Sequence, residues 1–306
     1  MLTNISKSQI FKNKIYFFSF LVFALFLQSC KTTNSITKAS FEPNAPEDVP
    51  FIVAHDIVFP EIEGNCKYIF FRLYNPAYKN PLYIANMLKG GISITRTGDV
   101  PDVSHASINF SLDDNYIGLT LTGEPQLSPE ECNVPQSNEY MKACDPEKSE
   151  QITYALKVTE EEYEKTKSFV NHYVSTSDIK YATSLNFKIA LFSIKRKFFT
   201  PKERQQFGSL IYPDDSINKK VSLENSDDLP HDFVCSTFLG YVLYNNVESV
   251  SNFFDEHDIK YEYLNVSDIS TIPGITPLFY SNWDNYLEAA KAFVKEYPEF
   301  APYLTN

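Results

Sequence analysis

The alternation of apolar and polar positions predicts several β-strands. Lys67–Tyr74 is rich in Tyr, Ile and Phe, which favours a strand. Two alternating stretches, Ser104–Leu112 and Tyr116–Thr122, flank the turn signal Asp-Asp-Asn at 113–115 and predict a β-hairpin. A further strand is predicted over Ile152–Val158. Together with the helical patterns described next, these strands predict a fold of mixed α and β elements.

The clearest helix signal follows the strand that ends near residue 158. Thr159 and Glu162 form a capping box, in which each side chain bonds the other residue's N–H group. The helix is predicted to continue to about Tyr173, with one apolar stripe at helical spacing: Tyr163, Thr166, Phe169, Val170 and Tyr173. Other helices are predicted over Asn80–Lys89, Leu185–Phe199, Phe233–Tyr244 and about Asn285–Lys295.

Composition narrows the function classes. The 306 residues are 43% apolar and 22% charged, which indicates a globular protein. A net charge of −12 argues against nucleic-acid binding, which needs a basic surface, and against general adhesion to anionic membranes. Glycine is scarce, and the glycine-rich nucleotide motifs and the metal-binding motifs of His and Cys are missing from the sequence. We therefore expect no cofactor and no metal.

The amino terminus has the layout of an export signal. Three lysines at positions 7, 12 and 14 precede the apolar run Ile15–Leu27, which at thirteen residues is shorter than the ~20 that span a bilayer. The segment Leu27-Gln28-Ser29-Cys30 resembles a bacterial lipobox. This resemblance implies cleavage after residue 29, acyl chains on Cys30, and a lipid-anchored protein of the bacterial cell envelope. The alternative is an ordinary signal peptide in which Cys30 is incidental.

The remaining chain divides by composition. Residues 30–50 are rich in Thr, Ser, Asn and Pro, which predicts a flexible tether behind the lipid anchor. Residues 51–306 form the expected folded domain. Within it, residues from about 200 to 229 are polar and rich in Asp, Asn and Lys, which predicts an insertion or long loop.

Two cysteines lie in a polar segment. Cys132 and Cys144 are twelve positions apart, in a proline-containing stretch typical of an exposed loop. An exported compartment permits a disulfide between them, and two free thiols are the alternative. Cys66 precedes a predicted strand and gives no functional signal.

Cys235 stands where a reactive thiol is expected. It opens the apolar helix predicted from residue 233, and the free N–H groups and positive dipole end of a first helical turn favour a thiolate. The same N–H groups can stabilise an oxyanion. A thiolate nucleophile needs a base, most often histidine. His105, at the start of a predicted hairpin strand, is the main candidate, and His231 competes with it. The alternative is a cysteine that only fills the core.

Two short motifs resemble a known family. Val103-Ser104-His105-Ala106-Ser107-Ile108, far upstream of Phe233-Val234-Cys235-Ser236-Thr237-Phe238, resembles the permuted NlpC-like hydrolases of the papain-fold superfamily, in which the His strand precedes the Cys helix. The Cys and His are 130 residues apart. The resemblance covers residues 80–280 and extends to Thr97-Gly98, the strand-to-helix unit over 152–170, Tyr181, and Ile275-Thr276-Pro277. It implies a fold of the α+β class, the permuted papain-like fold, with an antiparallel sheet packed against helices and the Cys helix late in the chain.

The resemblance assigns roles to individual residues. Cys235 matches the nucleophile and His105 the general base. The third residue, which orients the histidine, falls nearest Thr120; two placements of the hairpin turn give Thr122 or Glu124 instead. The implied activity is hydrolysis of amide bonds in peptides, including cell-wall peptides, through a thioester. Alternatives are an acyltransferase or lipid esterase on the same Cys–His pair, or a binding lipoprotein whose active site has decayed.

Overall fold

The computed structural model describes residues 36–46, 48–79, 101–113, 115–119, 127–131, 144–176, 179–199, 217–223 and 229–305. The export signal, Cys30 and the helix predicted over 80–89 lie outside the described residues. In the part of the chain that is described, no helix combines the length and apolar character needed to cross a membrane.

The described strands form one antiparallel sheet and one small parallel pair. Seven strands make up the sheet: β1 Phe51–Val53, β2 Cys66–Asn75, β3 His105–Asn109, β4 Asn115–Leu119, β5 Leu127–Glu131, β6 Glu150–Thr159 and β9 Ile275–Asn282. Their spatial order is β1-β9-β6-β2-β3-β4-β5. The parallel pair joins β7 (Lys180–Tyr181) to β8 (Asp232–Phe233).

Six α-helices lie among the described residues. They are α1 Ile36–Phe41, α2 Glu160–Thr176, α3 Thr183–Phe199, α4 Cys235–Asn246, α5 Glu248–Glu256 and α6 Tyr286–Glu296. Short 3₁₀ helices follow at Tyr261–Tyr263, Val266–Thr271, Trp283–Asn285 and Pro298–Tyr303. The expected α+β class and the antiparallel sheet packed against helices are confirmed. The predicted strands and the predicted helices that lie within the described residues are found close to their predicted bounds.

The two faces of the sheet carry two separate cores. Successive side chains of a strand point to opposite faces. On one face Phe71 and Leu73 of β2 belong to a core cluster with Phe238 and Leu239 of α4. On the other face Phe70 packs in a second cluster with residues of α6. Which face a residue of β3 occupies therefore decides whether it meets α4 or α6.

The capping box at the start of α2 is confirmed. The Glu162 N–H donates to Thr159 Oγ1 at 3.2 Å, and the Thr159 N–H donates to Glu162 Oε2 at 3.0 Å. The predicted apolar stripe is buried. Glu162 also accepts the N–H of Glu248 at 2.9 Å through its other oxygen, which ties the start of α2 to the start of α5.

The segment before β1 is folded, which corrects part of the predicted tether. Thr37 and Lys38 of α1 are 0% and 5% exposed. Thr37 Oγ1 donates to the Asp102 carbonyl at 2.8 Å, and Lys38 Nζ donates to the carbonyls of Pro46 and Val49 at 2.5 and 2.7 Å. Because these bonds satisfy polar groups at buried positions, a polar composition here does not prevent packing. The described residues 36–46 are part of the domain.

Part of the predicted insertion is also packed on the domain. Asn218 donates to the Ile259 carbonyl at 2.5 Å and accepts the Tyr261 N–H at 3.2 Å. Lys220 Nζ donates to the Tyr244 carbonyl at 2.5 Å. Residues 217–223 thus cross the end of α4, while most of the remaining insertion lies outside the described residues.

Candidate functional site

Cys235 is the first residue of α4, as the sequence predicts. Val234 is the N-cap, with φ −114° and ψ 170°, and it has no side-chain acceptor for the first-turn N–H groups. Thr237 instead bonds Val234 itself: its Oγ1 accepts the Val234 N–H at 2.9 Å and donates to the Val234 carbonyl at 3.1 Å. Since first-turn N–H groups make no intrahelical bonds, this helix start can stabilise an anion beside the thiol.

The Cys235 side chain borders a small cavity of about 30 Å³, which we call the Cys235 cavity. At about 10–15 Å³ per site, this volume holds about two water molecules. The lining comes from α3, β7, α4 with its N-cap, the residue before β3, and the start of the 3₁₀ helix Val266–Thr271 with its N-cap: Ser104, Tyr181, Asn186, Ile189, Ala190, Val234, Cys235, Ser236, Asn265 and Val266. Cys235 is only 5% exposed, and its side chain lies against this cavity.

Tyr181 supplies the other titratable group among the described residues that line the cavity. Burial raises the pKa of the Tyr181 phenol, the Cys235 thiol raises that pKa further, and the hydrogen bond from Asn186 partly offsets both effects. Asn186 Nδ2 donates to the Tyr181 hydroxyl at 3.1 Å. With its oxygen accepting from Asn186 and its proton retained, Tyr181 is a hydrogen-bond donor toward the cavity rather than a base.

One wall of the cavity is fixed to α4 by a buried hydrogen bond and by close packing. Ser236 Oγ donates to the Leu264 carbonyl at 2.7 Å. Gly240, one turn further along α4, lets Tyr261 and Leu264 approach the helix closely. A Cβ at this position would lie 2.5 Å from Leu264 Cδ1 and 3.0 Å from Tyr261 Cβ.

The structure does not bring His105 to Cys235, contrary to the prediction. His105 pairs with Tyr74 of β2, so the two side chains share a face, and their ring centroids lie 4.7 Å apart. The Arg72 guanidinium, on the same face, lies over both Tyr74 and Tyr116, and Tyr116 belongs to the α6 core. No hydrogen bond joins Cys235 to His105, both of which are described. The residue of this motif that lines the cavity is Ser104.

Strand alternation explains this difference. Ala106 and Ile108 of β3 pack in the same core cluster as Cys235, so the alternate residues face away from α4. The sequence motif gave the order of His and Cys along the chain but not the face of the strand. His231, the competing base, is partly buried and is not among the described residues that line the cavity.

The hairpin register also differs from both turn placements considered. Ser107 pairs with Gly118 and Ile108 with Ile117, so the numbers of paired positions add to 225. The turn placement that sets His105 opposite Glu124 requires a sum of 229, and the placement that sets it opposite Thr122 requires 227. The three candidates for the third residue, Thr120, Thr122 and Glu124, lie outside the described residues.

The predicted disulfide remains a prediction. Cys144 is buried in a small cluster with Tyr74 and Trp283 and forms an isolated β-bridge with Tyr78. Its predicted partner, Cys132, lies outside the described residues. Cys66 is a partly buried thiol that donates to the carbonyls of Ile62 and Gly64.

Sequence reasoning missed two amides of this site. Asn186 and Asn265 line the cavity, yet each lies in a polar stretch without a recognisable motif. No group of three His, Cys, Asp or Glu side chains within the described ranges could hold a metal ion.

No protein-family model, curated protein or solved structure matched this chain in the three comparisons made. The family resemblance therefore depends on the residues quoted above, and the chemistry depends on the geometry around Cys235.

Proposed function

We propose that this chain is a cysteine hydrolase of the permuted papain-like, NlpC-like type, which cleaves amide bonds in peptides or cell-wall fragments and is held at a bacterial envelope membrane by acyl chains on Cys30. The observation that carries the proposal is the position of the Cys235 thiol, at an uncapped helix start and beside a cavity lined by both polar and apolar side chains. Six of the seven sheet strands precede α4 in the chain, which is compatible with a permuted order.

The reaction follows from these groups. The Cys235 thiolate attacks the carbonyl carbon, and the resulting oxyanion accepts hydrogen bonds from first-turn N–H groups of α4 and from the Tyr181 hydroxyl. Collapse of this intermediate breaks the C–N bond, and a general acid protonates the leaving amine. Water then hydrolyses the thioester, releasing the acid and restoring the thiol.

His105 is the general acid and base in this proposal, and its position sets a condition on the mechanism. In the conformation described, its ring lies on the Tyr74 face of the sheet. Proton transfer to or from Cys235 therefore requires the start of β3 to rearrange so that the imidazole reaches the Ser104 side. His105 is the first residue of its strand, and the change would break the bond from the Ser104 N–H to the Tyr74 carbonyl at 3.0 Å.

A turnover assay tests the proposal. Purified protein is incubated with soluble cell-wall fragments and, in a parallel reaction, with phospholipid vesicles, and the products are identified by mass spectrometry. Cys235→Ala is expected to abolish release of new amines, whereas Cys66→Ala, which removes a thiol outside the cavity, is expected to retain it. Equal release by both variants would refute a Cys235 nucleophile. Release of fatty acids alone would favour the esterase or acyltransferase alternative.

A binding protein with a decayed active site is the second candidate, because the His105 ring and the Cys235 thiol lie on opposite faces of the sheet. The rate of Cys235 alkylation by iodoacetamide separates the two. An activated Cys–His pair reacts rapidly down to about pH 6 and loses this reactivity in His105→Ala. In a decayed site the alkylation rate falls steeply as the pH is lowered from about 8 toward about 6, and His105→Ala has the same profile.

A further inference from the structure

We propose that the buried ion pair between Arg196 and Asp268 sets the width of the Cys235 cavity and so limits the size of the acyl group that reaches the thiol. The inference extends the proposed function, since it concerns the substrate range of the same site. Arg196 and Asp268 are positioning residues: neither lines the cavity, and each holds an element that does.

The ion pair has the geometry of a rigid link. Arg196 Nη1 donates to Asp268 Oδ2 and Nη2 donates to Oδ1, both at 2.9 Å. The side chains are 4% and 7% exposed, so the pair is shielded from solvent. Two parallel hydrogen bonds between planar groups fix orientation as well as distance. The pair therefore holds its two elements at a defined separation.

Arg196 belongs to the helix that forms one wall. Asn186, Ile189 and Ala190 of α3 line the cavity. Arg196 is seven positions after Ile189, two helical turns along the same face. A shift of α3 at Arg196 is therefore transmitted along one side of the helix to Ile189.

Asp268 holds a second wall of the cavity. Its Oδ2, which also accepts from Arg196, accepts the Asn265 N–H at 3.0 Å, and the Asn265 carbonyl accepts the Asp268 N–H at 3.0 Å. These bonds fix Asn265 and Val266, which line the cavity together with α3. The bond from Ser236 to Leu264 holds the same segment against α4, so this wall is fixed relative to the thiol. The ion pair therefore controls the position of α3 relative to this wall and to the thiol.

Two other contacts join α3 to the segment that precedes Asp268, and they can be compared with the buried ion pair. Lys188 and Glu262 form an ion pair at 3.0 Å, but their side chains are 41% and 42% exposed, and such pairs contribute little. Phe192 packs on Tyr263 with ring centroids 4.8 Å apart. Because this aromatic contact remains when the buried pair is removed, α3 is expected to loosen rather than detach.

The test measures access to the thiol with probes of two sizes. Iodoacetamide is the small probe and a fluorescein maleimide is the bulky one, and labelling at Cys235 is quantified by peptide mass spectrometry. The double variant Arg196→Met with Asp268→Asn removes the ion pair without leaving a buried charge, and the amide oxygen at position 268 can still accept the Asn265 N–H. We expect it to raise the ratio of bulky to small labelling rates about tenfold. Glu262→Gln, which breaks only the exposed pair, is the matched control and is expected to leave the ratio unchanged.

Arg196→Lys keeps the positive charge but loses the pair of parallel hydrogen bonds to Asp268. This variant provides the test if the double variant does not fold. It is expected to raise the same ratio by a smaller factor. An unchanged ratio of labelling rates, in whichever of these variants folds, would overturn the proposal. Equal increases in the labelling rates of both probes, at Cys66 as well as at Cys235, would also overturn it, because they would indicate general loosening of the protein. The readout requires no hydrolysis, so this inference and the proposed activity can fail independently.

Discussion

Replacing Gly240 by Ala tests how closely α4 packs against Tyr261 and Leu264, which lie just before the cavity-lining residues Asn265 and Val266. The added Cβ would lie 2.5 Å from Leu264 Cδ1 and 3.0 Å from Tyr261 Cβ. Leu264 and Tyr261 are 2% and 6% exposed, so neither can move into open space. The Leu264 methyl is the end of a side chain, but the Tyr261 Cβ moves only with its backbone.

Two opposing effects set the size of the change. Alanine in place of glycine gains about 1 kcal/mol of helix propensity. Overpacking a buried site costs about 1–3 kcal/mol, and a clash that involves a Cβ belongs in the upper half of that range. The clash therefore outweighs the propensity gain, and Gly240→Ala is expected to lower the free energy of unfolding by about 1–2 kcal/mol.

Urea unfolding followed by circular dichroism measures this difference. Ser168→Ala, at an exposed position of α2, is the control, because it gains helix propensity without a packing cost. A Gly240→Ala protein as stable as the unsubstituted chain would show that α4 does not approach Tyr261 and Leu264 as closely as the structure has it. Greater stability would contradict the packing argument outright.

Three further substitutions test the fold around the site. Thr159→Ala removes half of the capping box and is expected to lower the free energy of unfolding by about 1 kcal/mol, measured by urea titration. Thr37→Val removes the hydrogen bond to Asp102, with an expected loss of about 1 kcal/mol; no change would show that α1 contributes nothing to the fold. Burial raises the pKa of Tyr116 to about 12, although Tyr286 and Arg72 lower it in part. The unfolded chain therefore loses this proton at lower pH than the folded chain, and the Tyr116 contribution to stability falls between about pH 10 and 12. Tyr116→Phe is expected to flatten this part of the pH–stability curve, and a parallel curve would refute the assignment.

Local signals in the sequence were sufficient for most of the secondary structure. Strands β2 and β6 and helices α2 and α6 were predicted because alternation, helical periodicity and a capping box act over a few residues. The position of Cys235 at a helix start was predictable for the same reason. These features depend on neighbours in the chain rather than on the packing of distant elements.

The face of β3 and the structure of α1 could not be predicted in this way. A shift of one residue exchanges the two faces of a strand, and the packing of Ala106 and Ile108 against α4 decides which face His105 takes. The burial of α1 depends on acceptors supplied by Asp102, Pro46 and Val49. Asn186 and Asn265 reach the cavity through tertiary packing, for which the sequence has no local signal.

Trapping the covalent intermediate tests the central claim most directly. The protein is mixed with cell-wall peptide fragments, quenched in acid and digested, and the Cys235 peptide is examined by mass spectrometry. The account predicts an added acyl mass on Cys235 that hydroxylamine removes and that is absent from Cys235→Ala. Amide cleavage that proceeds without such an adduct, and at the same rate in Cys235→Ala, would contradict it.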